Sequence, residues 1–91
     1  MNDDYFDELT PRQQLNDLIH KRAQANNDDY PAAWKELDSR WKAKHGQHLS
    51  WLRWKYNQDN QTTLTLPAYL EATGKIIEAI TIAIKMKEDA A

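Results

Sequence analysis

Aromatic and basic side chains interleave over six residues within the stretch LSWLRWKYNQ. Trp51, Arg53, Trp54, Lys55 and Tyr56 bring two kinds of binding chemistry together there. Lysine and arginine neutralise phosphates, and exposed aromatic rings stack on nucleic-acid bases. An exposed tryptophan beside basic residues is also typical of protein-binding hot spots. The stretch therefore predicts a binding surface, either for nucleic acid or for protein.

The charge distribution concentrates basic residues around this stretch. The 91-residue chain has a net charge of −2, which argues against general attraction to nucleic acid. Residues 30–55 carry six basic and two acidic residues, a net charge of +4, and contain all four tryptophans. The segments before and after them carry net charges of −4 and −2. A basic, aromatic-rich centre between acidic ends indicates that the middle third is the interacting region.

A helix–turn–helix would present this centre to DNA. Pro31–Lys44 would be its first helix, His45–His48 its turn, and Leu49–Asn57 its recognition helix, with Gly46 suiting the turn. In that arrangement Trp51, Arg53, Lys55 and Gln58 would face DNA. The predicted contact residues for either kind of partner are Arg40, Lys44, Trp51, Arg53 and Lys55.

Motifs for catalysis and for metal binding do not occur in the sequence. Cysteine is absent, which excludes disulfides, thiolate metal sites and cysteine nucleophiles. The two glycines form no phosphate-binding loop, and His45 and His48 do not have the spacing of a zinc motif. Ser39 and Ser50 lack a nucleophile motif. We therefore expect no enzymatic activity, no catalytic residue, no cofactor and no metal site.

Two amphipathic helices are predicted before the aromatic stretch. The first begins at Thr10, where Gln13 completes a capping box, and ends in the polar run Asn26–Asp29. The second begins near Pro31 and ends at Gly46. Their apolar positions recur with helical spacing: Leu15, Leu18, Ile19, Ala23, Trp34, Leu37 and Trp41.

One long C-terminal helix is predicted from Pro67 to about Lys87. Two neighbouring apolar rows run along it, and together they make a face wider than one helix contact needs. The rows are Leu70, Thr73, Ile77, Ile80 and Ile84, and Ile76, Ala79, Ala83 and Met86. The first interpretation is an intramolecular core. The alternative is a homodimer contact, with Ile76, Ile80, Ala83 and Ile84 as its residues.

Residues 47–66 fit two different structures. A short helix over 49–57 followed by an extended loop places Leu49, Leu52 and Tyr56 on one face and leaves Trp51 exposed. A β-hairpin of 51–56 with 62–66, turning at NQDNQ, would cover Trp51. An isolated hairpin is marginally stable without covering helices, so we favour the helix.

The predicted fold is all-α, a single small bundle of three to four helices over residues 10–91 that follows an acidic tail at 1–9. An α+β fold with one hairpin at about 51–66 is the alternative. The predicted core is Leu15, Leu18, Ile19, Trp34, Leu37, Trp41, Leu70, Ile77, Ile80 and Ile84. No apolar run reaches the length of about 18 residues that spans a bilayer, and the acidic N-terminus lacks a signal-peptide pattern. We therefore expect a cytoplasmic protein without a membrane partner.

The segments YPAAWKELDSRWKAKHG and LTLPAYLEATGKIIEAI together resemble the small C-terminal accessory domain of phage antirepressor and regulatory proteins. That domain has an aromatic-containing helix ending in basic residues and glycine, a short extended piece, a proline and a second helix with an aromatic residue. The matching positions are Trp34, Leu37, Trp41, Gly46, Leu66, Pro67, Tyr69, Ala72, Ile76, Ile77 and Ala79. The resemblance covers about two thirds of the chain and departs from the family at His48–Thr65, where the family's connection is much shorter. It implies a phage or prophage context and a binding module near DNA transactions, without a catalytic residue.

The sequence thus predicts a small non-enzymatic binding module of phage or prophage origin. It would act on DNA-associated machinery, in transcription regulation, replication or recombination, through its basic and aromatic patch. The alternative is an inhibitor or adaptor of a host protein that makes no direct contact with nucleic acid. In that case Trp51 would anchor the partner protein.

Overall fold

The computed structural model describes residues 9–90, so the predicted acidic tail lies outside the described residues except at Leu9. Five helices follow one another: α1 (Pro11–Gln24), α2 (Tyr30–His45), α3 (Leu49–Asn60), α4 (Leu66–Ala72) and α5 (Ile76–Ala90). Residues 9–90 contain no strand, so the all-α prediction is confirmed and the β-hairpin alternative is wrong. Within the same range, no helix has the length and apolar character needed to cross a membrane.

The first two helices begin and end where side-chain chemistry predicts. Thr10 Oγ1 accepts the Gln13 N–H at 3.2 Å, and Gln13 Oε1 accepts the Thr10 N–H at 3.0 Å, which completes the capping box of α1. Asp29 caps α2 by accepting the Ala32 N–H at 3.0 Å. Gly46 ends α2 in the left-handed region with a φ of +87°, a conformation that glycine adopts without strain.

The Asn57 side chain makes three hydrogen bonds to the connection between α3 and α4. Its Oδ1 accepts the Leu64 N–H at 3.1 Å and the Thr62 hydroxyl at 2.8 Å, and its Nδ2 donates to the Leu64 carbonyl at 3.1 Å. The amide group thus satisfies backbone groups that no helix or sheet satisfies in this segment. As a result Leu64 and Leu66 pack against the core.

The prediction of one long C-terminal helix is wrong, because the helix is interrupted at Gly74 and forms two helices, α4 and α5. Gly74 has a φ of +73°, and its N–H donates to the Glu71 carbonyl at 3.2 Å. The Lys75 N–H donates to the Leu70 carbonyl at 2.9 Å. This pair of bonds is the Schellman pattern that ends a helix with glycine in the left-handed region. The break raises the helix number above the predicted three to four.

The five helices share one hydrophobic core, in which α1 packs along α5. The buried residues are Leu15, Leu18, Ile19, Ala23, Ala33, Leu37, Trp41, Leu49, Tyr69, Leu70, Ile76, Ala79, Ile80, Ile82, Ala83 and Met86. α2 runs antiparallel to α5, since Lys44 pairs with Glu78 near the start of α5 and Arg40 pairs with Asp89 near its end. These two ion pairs join the surface of α2 to that of α5.

Seven of the ten predicted core residues are buried, and three need correction. Ile77 is 62% exposed and Ile84 is 38% exposed, so the two isoleucines lie on the outer side of α5. The predicted row assumed a helix continuous from Leu70, and the break at Gly74 removes that continuity. Trp34 is only partly buried and packs at the edge of the core.

Candidate binding surface

Asp38 of α2 fixes the start of α3. The residue at the N-cap position, His48, makes no capping hydrogen bond with its side chain. The Asp38 carboxylate instead accepts the Leu49 N–H, the Ser50 N–H at 3.3 Å and a hydrogen bond with His48 Nδ1 at 3.2 Å. A carboxylate at a helix N-terminus satisfies unpaired N–H groups and interacts favourably with the helix dipole. The cap of α3 therefore comes from another helix, and it orients α3 against α2.

The register of α3 then leaves two tryptophans on the surface. Leu49 is buried, and Leu52 and Tyr56 pack against the core, as the helical interpretation predicts. Trp51 is 44% exposed and Trp54 is 57% exposed. Because residues three and four apart share a helix face, Trp51, Trp54, Lys55 and Gln58 form one outward surface, here called the tryptophan face. The prediction that Trp51 is exposed when this segment is a helix is confirmed.

The five predicted contact residues do not form one patch. Arg40 and Lys44 lie on the side of α2 that faces α5 and line an open groove there with Ile82 and Ile84. Arg40 pairs with Glu36 and with Asp89, both at 2.9 Å. Lys44 pairs with Glu78 at 3.0 Å. The carboxylates neutralise much of the positive charge that the sequence places in this region.

The two basic residues of α3 are also separated. Lys55 belongs to the tryptophan face and pairs with Asp59 at 3.2 Å, one helical turn on. Arg53 lies on the other side of α3, where its Nη1 donates to the Leu64 carbonyl at 3.2 Å. It lines a second groove, of 580 Å³, which also contains Trp34 and Pro67. Within the predicted set, Trp51 and Lys55 thus share the tryptophan face, Arg40 and Lys44 share the groove beside α5, and Arg53 lies apart from both pairs.

The predicted set of contact residues omitted Trp54, the more exposed tryptophan of the tryptophan face. The signal was present, because Trp54 follows Trp51 by three residues and is its neighbour on a helix. Asp38 was also missed, since its partners on α3 are eleven and twelve residues away along the chain. No local pattern connects an acid in one helix to the N-terminus of the next.

The residues predicted for a homodimer contact are mostly inside the domain. Ile76, Ile80 and Ala83 are buried in the core of the chain, so they cannot meet a second copy. Ile84 is the one predicted contact residue that reaches the surface. The physical reason is that this side of α5 faces the hydrophobic core, to which α1 also contributes residues.

Histidine and carboxylate groups meet at the junction of α2 and α5. His45 Nε2 lies 2.6 Å from Glu78 Oε2, and the His45 ring packs on the Trp41 ring with centroids 4.4 Å apart. The hydrogen bond from Lys44, and then that from His45, lowers the pKa of the Glu78 carboxyl group below its ordinary value. Across the part of the chain that the structure describes, no three histidine or acidic side chains come together as metal ligands would.

Acid is expected to weaken this junction through Glu78. Its pKa is lower in the folded chain than its ordinary value of 4.5, because Lys44 and His45 donate hydrogen bonds to the carboxylate. The carboxylate therefore contributes stability above that ordinary value, and the contribution is lost as pH falls through the folded-state pKa. Replacement of Glu78 by glutamine should lower the thermal midpoint at neutral pH, and this difference should shrink as pH falls below 4.5 and through the folded-state pKa.

Melting curves followed by circular dichroism across this pH range test the prediction. Glu88→Gln is the matched control, because Glu88 lies on the same helix and is exposed. A midpoint difference between Glu78→Gln and the unmodified chain that stays constant from neutral to acid pH would contradict the assignment to Glu78 ionisation.

No protein-family model matches the chain, and no curated protein and no solved structure is significantly similar to it.

Proposed function

We propose that the chain is a small non-enzymatic binding module that docks on a partner protein through the tryptophan face of α3. The observation that carries this proposal is the pair of exposed rings, with Trp51 at 44% and Trp54 at 57% exposure on one side of one helix. Tryptophan is enriched among the residues that dominate protein–protein binding energy. Its large rigid ring buries much apolar area at little cost in side-chain entropy.

The shape of the surface suits a partner that offers an apolar pocket or groove. A helix that presents residues at i, i+3 and i+4 to a groove is a recurrent mode of protein recognition. Trp51, Trp54 and Lys55 have this spacing. Gln58 at the edge adds a polar group that can form hydrogen bonds around the apolar centre.

Charge supports a protein partner over nucleic acid. Binding to nucleic acid draws its affinity from several basic groups that neutralise phosphates. Lys55 is the single basic residue of the tryptophan face, and Asp59 already pairs with it. Arg40 and Lys44 lie against α5 with carboxylate partners of their own.

The class of partner follows from the resemblance to accessory domains of phage antirepressor and regulatory proteins. On that basis the partner belongs to DNA-associated machinery in the cytoplasm of an infected or lysogenic host. The module would recruit or block that protein, and contact with DNA would be made by the partner. An inhibitor or adaptor of a host protein outside DNA transactions would use the same surface.

The test compares the unmodified chain with Trp51→Ala/Trp54→Ala. Immobilised protein captures partners from a bacterial lysate, and each captured protein is then purified and titrated. Loss of both rings should weaken its binding by at least about 30-fold, the factor that corresponds to the loss of about 2 kcal/mol at a single hot-spot residue. Ile77→Ala is the matched control, because it removes an exposed apolar side chain from a different helix.

Two results would overturn the proposal. One is capture that Trp51→Ala/Trp54→Ala leaves unchanged. The other is micromolar binding to single- or double-stranded DNA at low salt, seen as quenching of tryptophan fluorescence and weakened by added salt, which would favour the nucleic-acid alternative.

A further inference from the structure

A second apolar stripe runs along the outer side of α5, opposite its buried face. Ile77 and Ile84 are 62% and 38% exposed, and Thr81 is exposed between them. These positions are four and three residues apart, so they form one line along the helix. Single exposed isoleucines are ordinary, whereas these two lie on one side of the same helix, on either side of Thr81.

We propose that a second copy of the chain packs on this stripe, with the two α5 helices antiparallel about a twofold axis at Thr81. A twofold contact uses the same patch on both copies, so the patch must be complementary to itself. Antiparallel packing about Thr81 places Ile77 beside Ile84 of the second copy, and Ile84 beside its Ile77. The apolar line is therefore paired along its whole length.

The charges beside the stripe have the same self-complementary arrangement. Glu78 and Lys85 lie on one flank of α5, at nearly equal distances along the helix before and after Thr81. The twofold operation brings Glu78 next to Lys85 of the second copy, and Lys85 next to its Glu78. Lys85 is available for such a pair, because among residues 9–90 its one acidic contact is with Asp89, at 3.9 Å. Among the residues that the structure describes, Lys44 and His45 both contact Oε2 of Glu78, which leaves Oε1 for a further cation.

An open groove beside the stripe provides room for the second copy. It lies between α2 and α5, and Ala43, Ile82 and Ile84 contribute apolar surface to its lining. Its volume of 520 Å³ can accept large side chains from an approaching helix. The dimer would then pair α2 and α5 of each copy in a four-helix contact. The tryptophan face belongs to a different helix, so the proposal is independent of the proposed function.

The contact is small, so the dimer should dissociate on dilution. α5 has 15 residues, and a helix of that length extends over about 22 Å. The stripe and groove together therefore place the contact at the low end of specific interfaces, below roughly 1,200 Å² in total. We expect a dissociation constant on the order of 100 µM.

Sedimentation equilibrium of the full chain from about 10 µM to about 1 mM tests the proposal. The mass should rise with concentration from the monomer value of 10.7 kDa toward twice that value. Ile77→Asp/Ile84→Asp should weaken dimerisation at least tenfold, with a helical circular dichroism spectrum showing that the variant folds. Trp51→Ala/Trp54→Ala should dimerise like the unmodified chain.

Charge reversal tests the antiparallel register without changing the apolar stripe. Glu78→Lys alone and Lys85→Glu alone should each weaken dimerisation several-fold, and the double reversal should restore it. A monomer at every concentration would overturn the proposal. A dimer that survives Ile77→Asp/Ile84→Asp would overturn it as well, as would a double reversal that restores nothing.

Discussion

Replacement of Ala83 by aspartate is expected to destabilise the fold by about 4 kcal/mol or more, because the new carboxylate has neither water nor a cation beside it. Ala83 is 1% exposed and lies in the row of α5 that packs into the core. Small domains have free energies of unfolding of roughly 5–15 kcal/mol, so the substitution removes most or all of the stability. Thermal and urea unfolding followed by circular dichroism measure the loss.

The neighbouring substitution Ile84→Asp is the matched control. It introduces the same charge one residue later, at a position that is 38% exposed. The carboxylate remains hydrated there, so the free energy of unfolding should change by less than about 1 kcal/mol. The reverse order, with Ile84→Asp unfolding the chain and Ala83→Asp tolerated, would mean that the helix presents the opposite face to the core.

The second large effect is expected at Asp38. Replacement by alanine leaves the N–H groups of Leu49 and Ser50 without the carboxylate that accepts them. Loss of a helix cap, here made with charge-assisted hydrogen bonds, should lower the free energy of unfolding by about 2 kcal/mol. For a domain of this size the thermal midpoint should fall by roughly 10 °C. The same denaturation measurements detect the change.

Two variants separate the capping role of Asp38 from its contact with His48. Asp38→Asn keeps an oxygen acceptor without the charge. It should therefore lose only about half of the free energy of unfolding that Asp38→Ala loses. His48→Ala removes the exposed partner and should change stability by less than about 0.5 kcal/mol. If Asp38→Ala were no more destabilising than His48→Ala, the carboxylate would not be the cap of α3.

The starts of α1 and α2 and the end of α2 were predictable because their determinants are local. The capping box of Thr10 and Gln13, Asp29 before Pro31, and Gly46 after a basic turn each act over a few residues. Such signals can be recognised from spacing alone. The position of α3 as a helix was also predictable, because Leu49, Leu52 and Tyr56 share one helix face and all three pack inward.

The sequence could not predict which side of α5 is buried, because two apolar rows run along this helix. Ile77 and Ile84 are larger than Ala79 and Ala83, and burial of the larger side chains is the natural expectation from hydrophobicity. The structure buries the alanines together with Ile76 and Met86 in the shared core. Packing between helices distant in sequence decides this choice, and no helical period contains that information.

The prediction that the basic residues form a single surface was wrong for a similar reason. Charge counted along the sequence gives residues 30–55 a net charge of +4, but Arg40 and Lys44 pair with Asp89 and Glu78 from the acidic C-terminal third. Ion pairs across such separations depend on the tertiary arrangement. Predicting that Trp51 is exposed required only that residues 49–57 be assigned to a helix. That part of the candidate site could therefore be predicted from the sequence.

The modest burial of α3 has a consequence for how the domain opens. Leu49 is the one fully buried side chain of this helix, and Asp38 and Asn57 hold its two ends through hydrogen bonds. Segments with little buried apolar area exchange their amide hydrogens through local openings that cost less than global unfolding. Amide protons of residues 49–60 should therefore exchange with deuterium while those of α1 and α5 stay protected. A partner bound to the tryptophan face would slow amide hydrogen exchange in α3 selectively. Binding would therefore be measurable as an increase in the local stability of that one helix.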